Sequence, residues 1–254
     1  GLDEHWRYKM AEQKFPSETV DLPSEGRLYP EGHPCKDGKI EIKYMTAKEE
    51  DILTSQNLIK KGIVIDKLLD SLILTEGVKV DDLIIGDKNA VMVASRILAY
   101  GPEYSCEVTT PTGVTLQHTF NLAECPFKKL PDGITENLFE VKLPISKKKV
   151  KFSILTGKDE RLIDKDLEAS KKVGAISPEL TTRLRYVIKE VDGDNSPSAI
   201  NDISQNMLAR DSMHLREEIK KVSPDIMLEQ EVESGGESVK VNIPMTANFF
   251  WPDA

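Results

Sequence analysis

Between residues 40 and 100 the hydrophobic period of the chain switches from two to 3.6, and the switch is punctuated at both ends. Ile40, Ile42 and Tyr44 alternate as a half-buried strand does. Thr46-Ala-Lys-Glu49 is then a capping box, in which the threonine hydroxyl serves a free amide of the first turn and Glu49 reaches back. Ile52, Leu53, Gln56 and Ile59 share one helical face, and Gly62 stands where a left-handed residue closes a helix. Leu68, Leu69, Leu72 and Ile73 mark a second helix. A third is predicted from Asp87 as N-cap through Val91, Ala94, Ile97 and Leu98 to the stop at Gly101-Pro102. A strand feeding three helices within 60 residues is a packing module, and none of its residue types are arranged for chemistry.

The rest of the chain extends this to an α+β protein: helical modules with small antiparallel β-hairpin or sheet parts and an extended N-terminal arm. Residues 1–39 carry Pro16, Pro23, Pro30 and Pro34 with Gly26, Gly32 and Gly38. Proline fixes φ and removes amide donors, so this stretch reads as an arm. It is either a strap folded back on its own domain or an arm docked on a neighbouring subunit. Residues 40–102 are the helical module with its leading strand. Residues 103–156 return to period two, with one hairpin around Pro111-Thr-Gly113 and a second strand pair across 144–148. Residues 157–223 read as a helical bundle: 159–173, then a helix opened by Ser177 and Pro178 with Leu180, Leu184, Val187, Ile188 and Val191 on one face, then helices from about Ser198 to Val222. Residues 224–254 form a hairpin turning at Gly235-Gly236 and an aromatic tail, Phe249-Phe250-Trp251.

Charge and composition narrow the function. With 34 Lys+Arg against 43 Asp+Glu the net charge is −9, the wrong sign for a global nucleic-acid binder. No apolar run approaches the length of a membrane span, and the first ten residues are too polar for a signal peptide. The three cysteines, Cys35, Cys106 and Cys125, are too few and scattered for a disulfide framework, which fits a reduced cytoplasmic setting. One local exception to the acidic balance is the run Lys147, Lys148, Lys149 and Lys151. It is either a lysine-protected edge strand or solvated turn, or a patch for an acidic partner subunit or a phosphate backbone.

Motifs that carry chemistry fail on inspection. Asp192-Gly-Asp194-Asn-Ser196 starts like a calcium loop, but Pro197 and Ile203 occupy the positions of its glycine and closing glutamate. Gly157-Lys158 has Phe152 where a phosphate loop begins with glycine, and Asp159 where it needs Ser or Thr. The four histidines stand far apart. Cys106, His118 and Cys125 surround the first hairpin without the matched spacing of a metal site. No catalytic residue, cofactor, metal or small-molecule substrate is expected.

Two stretches resemble a known family. Residues 22–34, LPSEGRLYPEGHP, followed by IEIKYMTAKEEDILTSQNLIKKGIVIDKLLDSLI, and residues 86–104, GDKNAVMVASRILAYGPEY, are similar to the baseplate hub subunits of T-even-type contractile-tailed bacteriophages. The ending IPMTANFFWP fits the same family. The likeness is dense over 22–104 and loose elsewhere. Some members carry paired cysteines at hairpin turns, where this chain has Thr110-Pro-Thr-Gly113 and Ser234-Gly-Gly-Glu237, so zinc is not expected. The resemblance implies a non-enzymatic structural subunit of the virion, made in the host cytoplasm, whose partners are other baseplate or tail proteins and copies of itself. A transient assembly factor absent from the finished particle is the alternative. Aromatic side chains dominate interface hot spots, so Trp6, Tyr8, Phe15, Tyr29, Phe249, Phe250 and Trp251 are the expected partner-binding anchors.

Overall fold

A computed structural model describes residues 16–174 and 176–252. Within them lie eight α-helices and eleven short strands in antiparallel pairs, an α+β architecture. Strand β1 (Ser17–Asp21) pairs with β2 (Lys39–Lys43), and the loop between them folds back on the core. The described part of the predicted arm is therefore a strap on its own domain. Its turns are fixed by close approach: a Cβ on Gly26 would stand 2.2 Å from the Lys36 carbonyl oxygen, and φ there is +80°. Arg27 ties the strap down further, donating to the carbonyls of Pro131 and Ile134.

The predicted capping box forms. Glu49 reaches back to the Thr46 amide at 3.0 Å and starts α1 (Ala47–Leu53). The single helix expected across 47–61 is broken at Thr54, because Ser55 caps a second one, α2 (Gln56–Lys60), by accepting from the Leu58 amide. Gly62 follows at φ +69° as expected. Next come α3 (Val64–Leu72) and α4 (Ile85–Tyr100). Asp87 is not the N-cap of α4. It lies in the first turn and is fully buried, while Ile84 takes the cap position.

Strands β3 (Glu103–Thr109) and β4 (Thr115–Asn121) make the predicted hairpin, with Tyr104, Cys106 and Val108 inward. A two-residue strand β5 (Phe127–Lys128) pairs with the distant β9 (Asp225–Ile226). Strands β6 (Phe139–Lys142) and β7 (Lys149–Phe152) pair as expected, but a third strand joins them. The helix α6 (Glu179–Val187), which follows α5 (Gly157–Lys172), stops at Val187. Ile188–Val191, read from the sequence as its last turn, is strand β8 on the far side of β7. The β-branched run Val187-Ile188 and Val191 suits a buried strand as well as a helix face, and β7 offers it a partner. Helices α7 (Pro197–Asn206) and α8 (Ala209–Lys221) complete the region, so it packs on a three-stranded sheet instead of forming a bundle by itself. A last hairpin, β10 (Glu229–Ser234) and β11 (Glu237–Asn242), precedes the tail.

Two apolar cores result. One holds the strap, β2, the β6–β7–β8 sheet and α5 to α8, with Phe152, Ile163, Leu184 and Leu215 at its centre. The other holds both long hairpins and the tail, with Tyr104, Phe120 and Phe249. Helices α3 and α4 are the wall between them. Leu69 and Val91 face the first core, Leu68, Leu72, Ala90 and Val93 the second. Helix α4 is buried on both sides, and a Cβ on Gly86 at its start would lie 1.7 Å from the Pro224 carbonyl oxygen.

Candidate interaction surfaces

The two stretches that carry the family resemblance meet in space. The Asp87 carboxylate of the second accepts the Ser24 amide at 3.0 Å, the Ser24 hydroxyl at 2.6 Å and the Tyr29 hydroxyl at 2.7 Å, all from the first. Tyr29 Oη in turn accepts the Ile84 amide at 2.9 Å. Buried polar groups persist where each has partners, and here both carboxylate oxygens do. Burial pushes the Asp87 carboxyl above its ordinary value, with the Ser24 and Tyr29 hydrogen bonds opposing it. Burial also pushes the Tyr29 phenol up, with the Asp87 charge adding to it. This is a clamp between strap and α4.

A second buried polar group lies under the capping box. Glu49 is 0% exposed and pairs with Lys43, itself 5% exposed. It also accepts from the Ser71 hydroxyl at 2.9 Å and from the Thr46 hydroxyl at 2.5 Å. Burial alone would raise its pKa, but Lys43, Thr46 and Ser71 together outweigh burial and hold it at about 2.

The predicted anchors divide. Trp6, Tyr8 and Phe15 lie outside the described residues. Tyr29 is 4% exposed, inside the clamp, and stacks on His33 at 4.8 Å. Phe249 and Phe250 are each 2% exposed and pack edge-to-face on one another, and Phe249 also packs edge-to-face on Tyr104. Trp251 is half-buried and donates from Nε1 to the Leu53 carbonyl at 2.9 Å. The tail is strapped down by Tyr104 Oη, which donates to the Pro244 carbonyl at 2.7 Å, and by the Arg96 guanidinium over the Tyr100, Tyr104 and Phe249 rings. Tyr29, Phe249 and Phe250 are thus corrected from partner anchors to core residues. Three adjacent aromatics must be sheltered, and the groove between α1, α4 and β3 shelters them.

What remains outward is different. Val173 and Ile176, in the connection between α5 and α6, are 80% and 93% exposed, and Leu180 on α6 is 41% exposed. Leu180 lies at an apolar cavity of about 310 Å³ between α6, α8 and the start of α4, bordered by Arg183 and Arg216. A larger cleft of about 1040 Å³ runs between α3 and α5, lined by charges of both signs including Lys88, Arg161, Asp164 and Glu168. Sequence reasoning passed over Ile176 because an isolated apolar residue in a Gly/Ser/Pro turn carries no periodicity.

Among the described residues no three His, Cys, Asp or Glu side chains are grouped to hold a metal ion, and no helix is long and apolar enough to cross a membrane. Cys106 and His118 are cross-strand partners, but Cys125 turns to Gln230. All three thiols are buried, and burial pushes each up, Cys35 to about 12. Such thiols are poor nucleophiles at neutral pH. The chain was compared with models of known protein families, with curated proteins and with solved structures, and none of the three gave a match.

Proposed function

We propose that the chain is a structural subunit of a contractile phage tail baseplate, in its hub region, that acts by burying surface against neighbouring proteins. The supporting observation is the Ser24–Asp87–Tyr29 clamp. The segments that resemble baseplate hub subunits, far apart in sequence, are joined there by buried hydrogen bonds, as a packing role requires. The exposed Val173, Ile176 and Leu180 supply apolar surface of the kind that interface cores use. An ordinary interface buries about 800 Å² on each partner.

Quantitative mass spectrometry of purified virions tests this reading, with copies of this chain counted against known tail proteins. A fixed count in multiples of three or six is the expected result. Absence from virions, with abundance in assembly intermediates of infected cells, would overturn it in favour of a transient assembly factor.

A further inference from the structure

Of the two ordinary explanations for the lysine run at the β6–β7 turn, a solvated turn describes the exposed Lys147 and Lys148, and protection of a sheet edge does not describe β7. Strand β7 is the central strand of its sheet, flanked by β6 and β8. Its lysines guard no edge.

Their placement is also unfavourable. Lys142 and Lys149 stand directly opposite one another across β6 and β7, where like charges repel. Lys147 adopts φ +63°, a left-handed conformation that glycine or asparagine takes more readily. The turn is held in this shape from beneath. The Asp211 carboxylate accepts the Ile145 amide at 2.7 Å and the Ser146 amide at 3.1 Å, and the Leu143 and Lys147 amides close on Lys148 and Leu143 carbonyls. Lys151 is paired with Glu190, and Lys148 borders a small cleft with Asp192, Asp194 and Asp202. Lys142, Lys147 and Lys149 are exposed, and none of the three takes part in an ion pair among the described residues. Nearby acidic groups include Glu140 on β6, Glu190 on β8, Asp211 beneath the turn and Asp192, whose carboxylate accepts the Lys149 amide. Ile145, 42% exposed, sits in the middle of the turn. Unfavourable backbone and charge placements that the fold over-determines point to an external use.

The opposite charge is presented by the other end of the chain. Glu229, Glu231 and Glu233 alternate along β10 on one face, away from the buried Val232; Glu231 and Glu233 are exposed, and that face also carries Lys240 of β11 opposite Glu231. Glutamates two residues apart on a strand are about 7 Å apart, and cross-strand lysines about 5 Å, a difference that flexible lysine stems take up.

We propose that the Lys142–Lys147–Lys149 turn docks the acidic β10 face of a second copy of this chain, with Ile145 as the apolar contact. The two patches differ, so the contact is heterologous and builds rings or open arrays, not a two-fold dimer. This deepens the structural-subunit reading by naming one partner. It is tested on the purified chain alone, so either can fail without the other.

The test is sedimentation velocity on the full chain and on two variants, K142E/K149E and E231K/E233K, with circular-dichroism melts confirming that each folds. Wild type is expected to associate in 50 mM NaCl and less in 300 mM, since exposed charges are screened beyond roughly 10 Å at 0.1 M salt. Each variant alone is expected to lose at least about tenfold in affinity. An equimolar mixture of the two restores association, because every contact in it again joins opposite charges. A wild type that stays monomeric at low salt, or a mixture that fails to associate, overturns the proposal. So does a monomeric wild type that retains a labelled 20-base-pair DNA probe which K142E/K149E releases, an outcome that assigns the turn to nucleic acid.

Discussion

Replacing Glu49 with glutamine removes the one titrating group whose charged form the fold holds most firmly. The folded carboxyl sits at about 2 against an ordinary 4.5, because Lys43, Thr46 and Ser71 all donate to it. A depressed carboxyl stabilises the fold above about pH 4.5 and loses that contribution as pH falls toward 2, since the unfolded chain takes up its proton first. From these two values the wild type loses about 2 kcal/mol at pH 3 through this residue, at roughly 1.4 kcal/mol per pH unit. Glu49→Gln leaves Lys43 buried without its counter-ion and costs about 3–5 kcal/mol at pH 7. The variant does not titrate here, so the gap to wild type should narrow by about 2 kcal/mol between pH 7 and pH 3. The raised Asp87 is common to both proteins and cancels in the comparison. Urea melts followed by circular dichroism at pH 7, 5, 4 and 3 measure the gap. A gap constant across that range would refute the assignment of the depressed carboxyl to Glu49. A cost under about 1 kcal/mol at pH 7 would refute the buried ion pair.

Two further substitutions probe the packing. Gly86→Ala puts a Cβ onto the Pro224 carbonyl and must push α4 from the 224–225 segment. A loss of about 1–3 kcal/mol in the same melts is expected, and an unchanged midpoint would contradict that close approach. Phe249→Ala should cost about 3–5 kcal/mol in stability, because that ring is core; a stable variant that only fails to bind partners would restore the tail to the role of anchor.

Much of this arrangement could be read in advance where local physics decides. The Thr46–Glu49 cap, the two hairpins and the Gly62 and Gly101 stops depend on residues within a few positions of one another, and all form as read. What escaped was long-range. Ile188–Val191 is a strand only because β7 lies alongside, and a four-residue segment with apolar ends does not reveal its neighbour. Asp87 has the chemistry of an N-cap, yet it is drawn inward by Ser24 and Tyr29, which no spacing rule links to it. The aromatic tail shows the same limit. Three adjacent rings must be buried, but the sequence does not say whether in this chain or another, and Leu53, Arg96 and Tyr104 supply the answer.

Helix α4 belongs to both cores, and this has a mechanical consequence. A tug on the C-terminal hairpin passes through the rings around Tyr104 and Phe249 into Ala90 and Val93. It leaves by Val91 on the opposite side of the same helix, toward the β6–β7–β8 sheet. The helix is a shared axle: neither half can yield without uncovering the residues by which it grips the other.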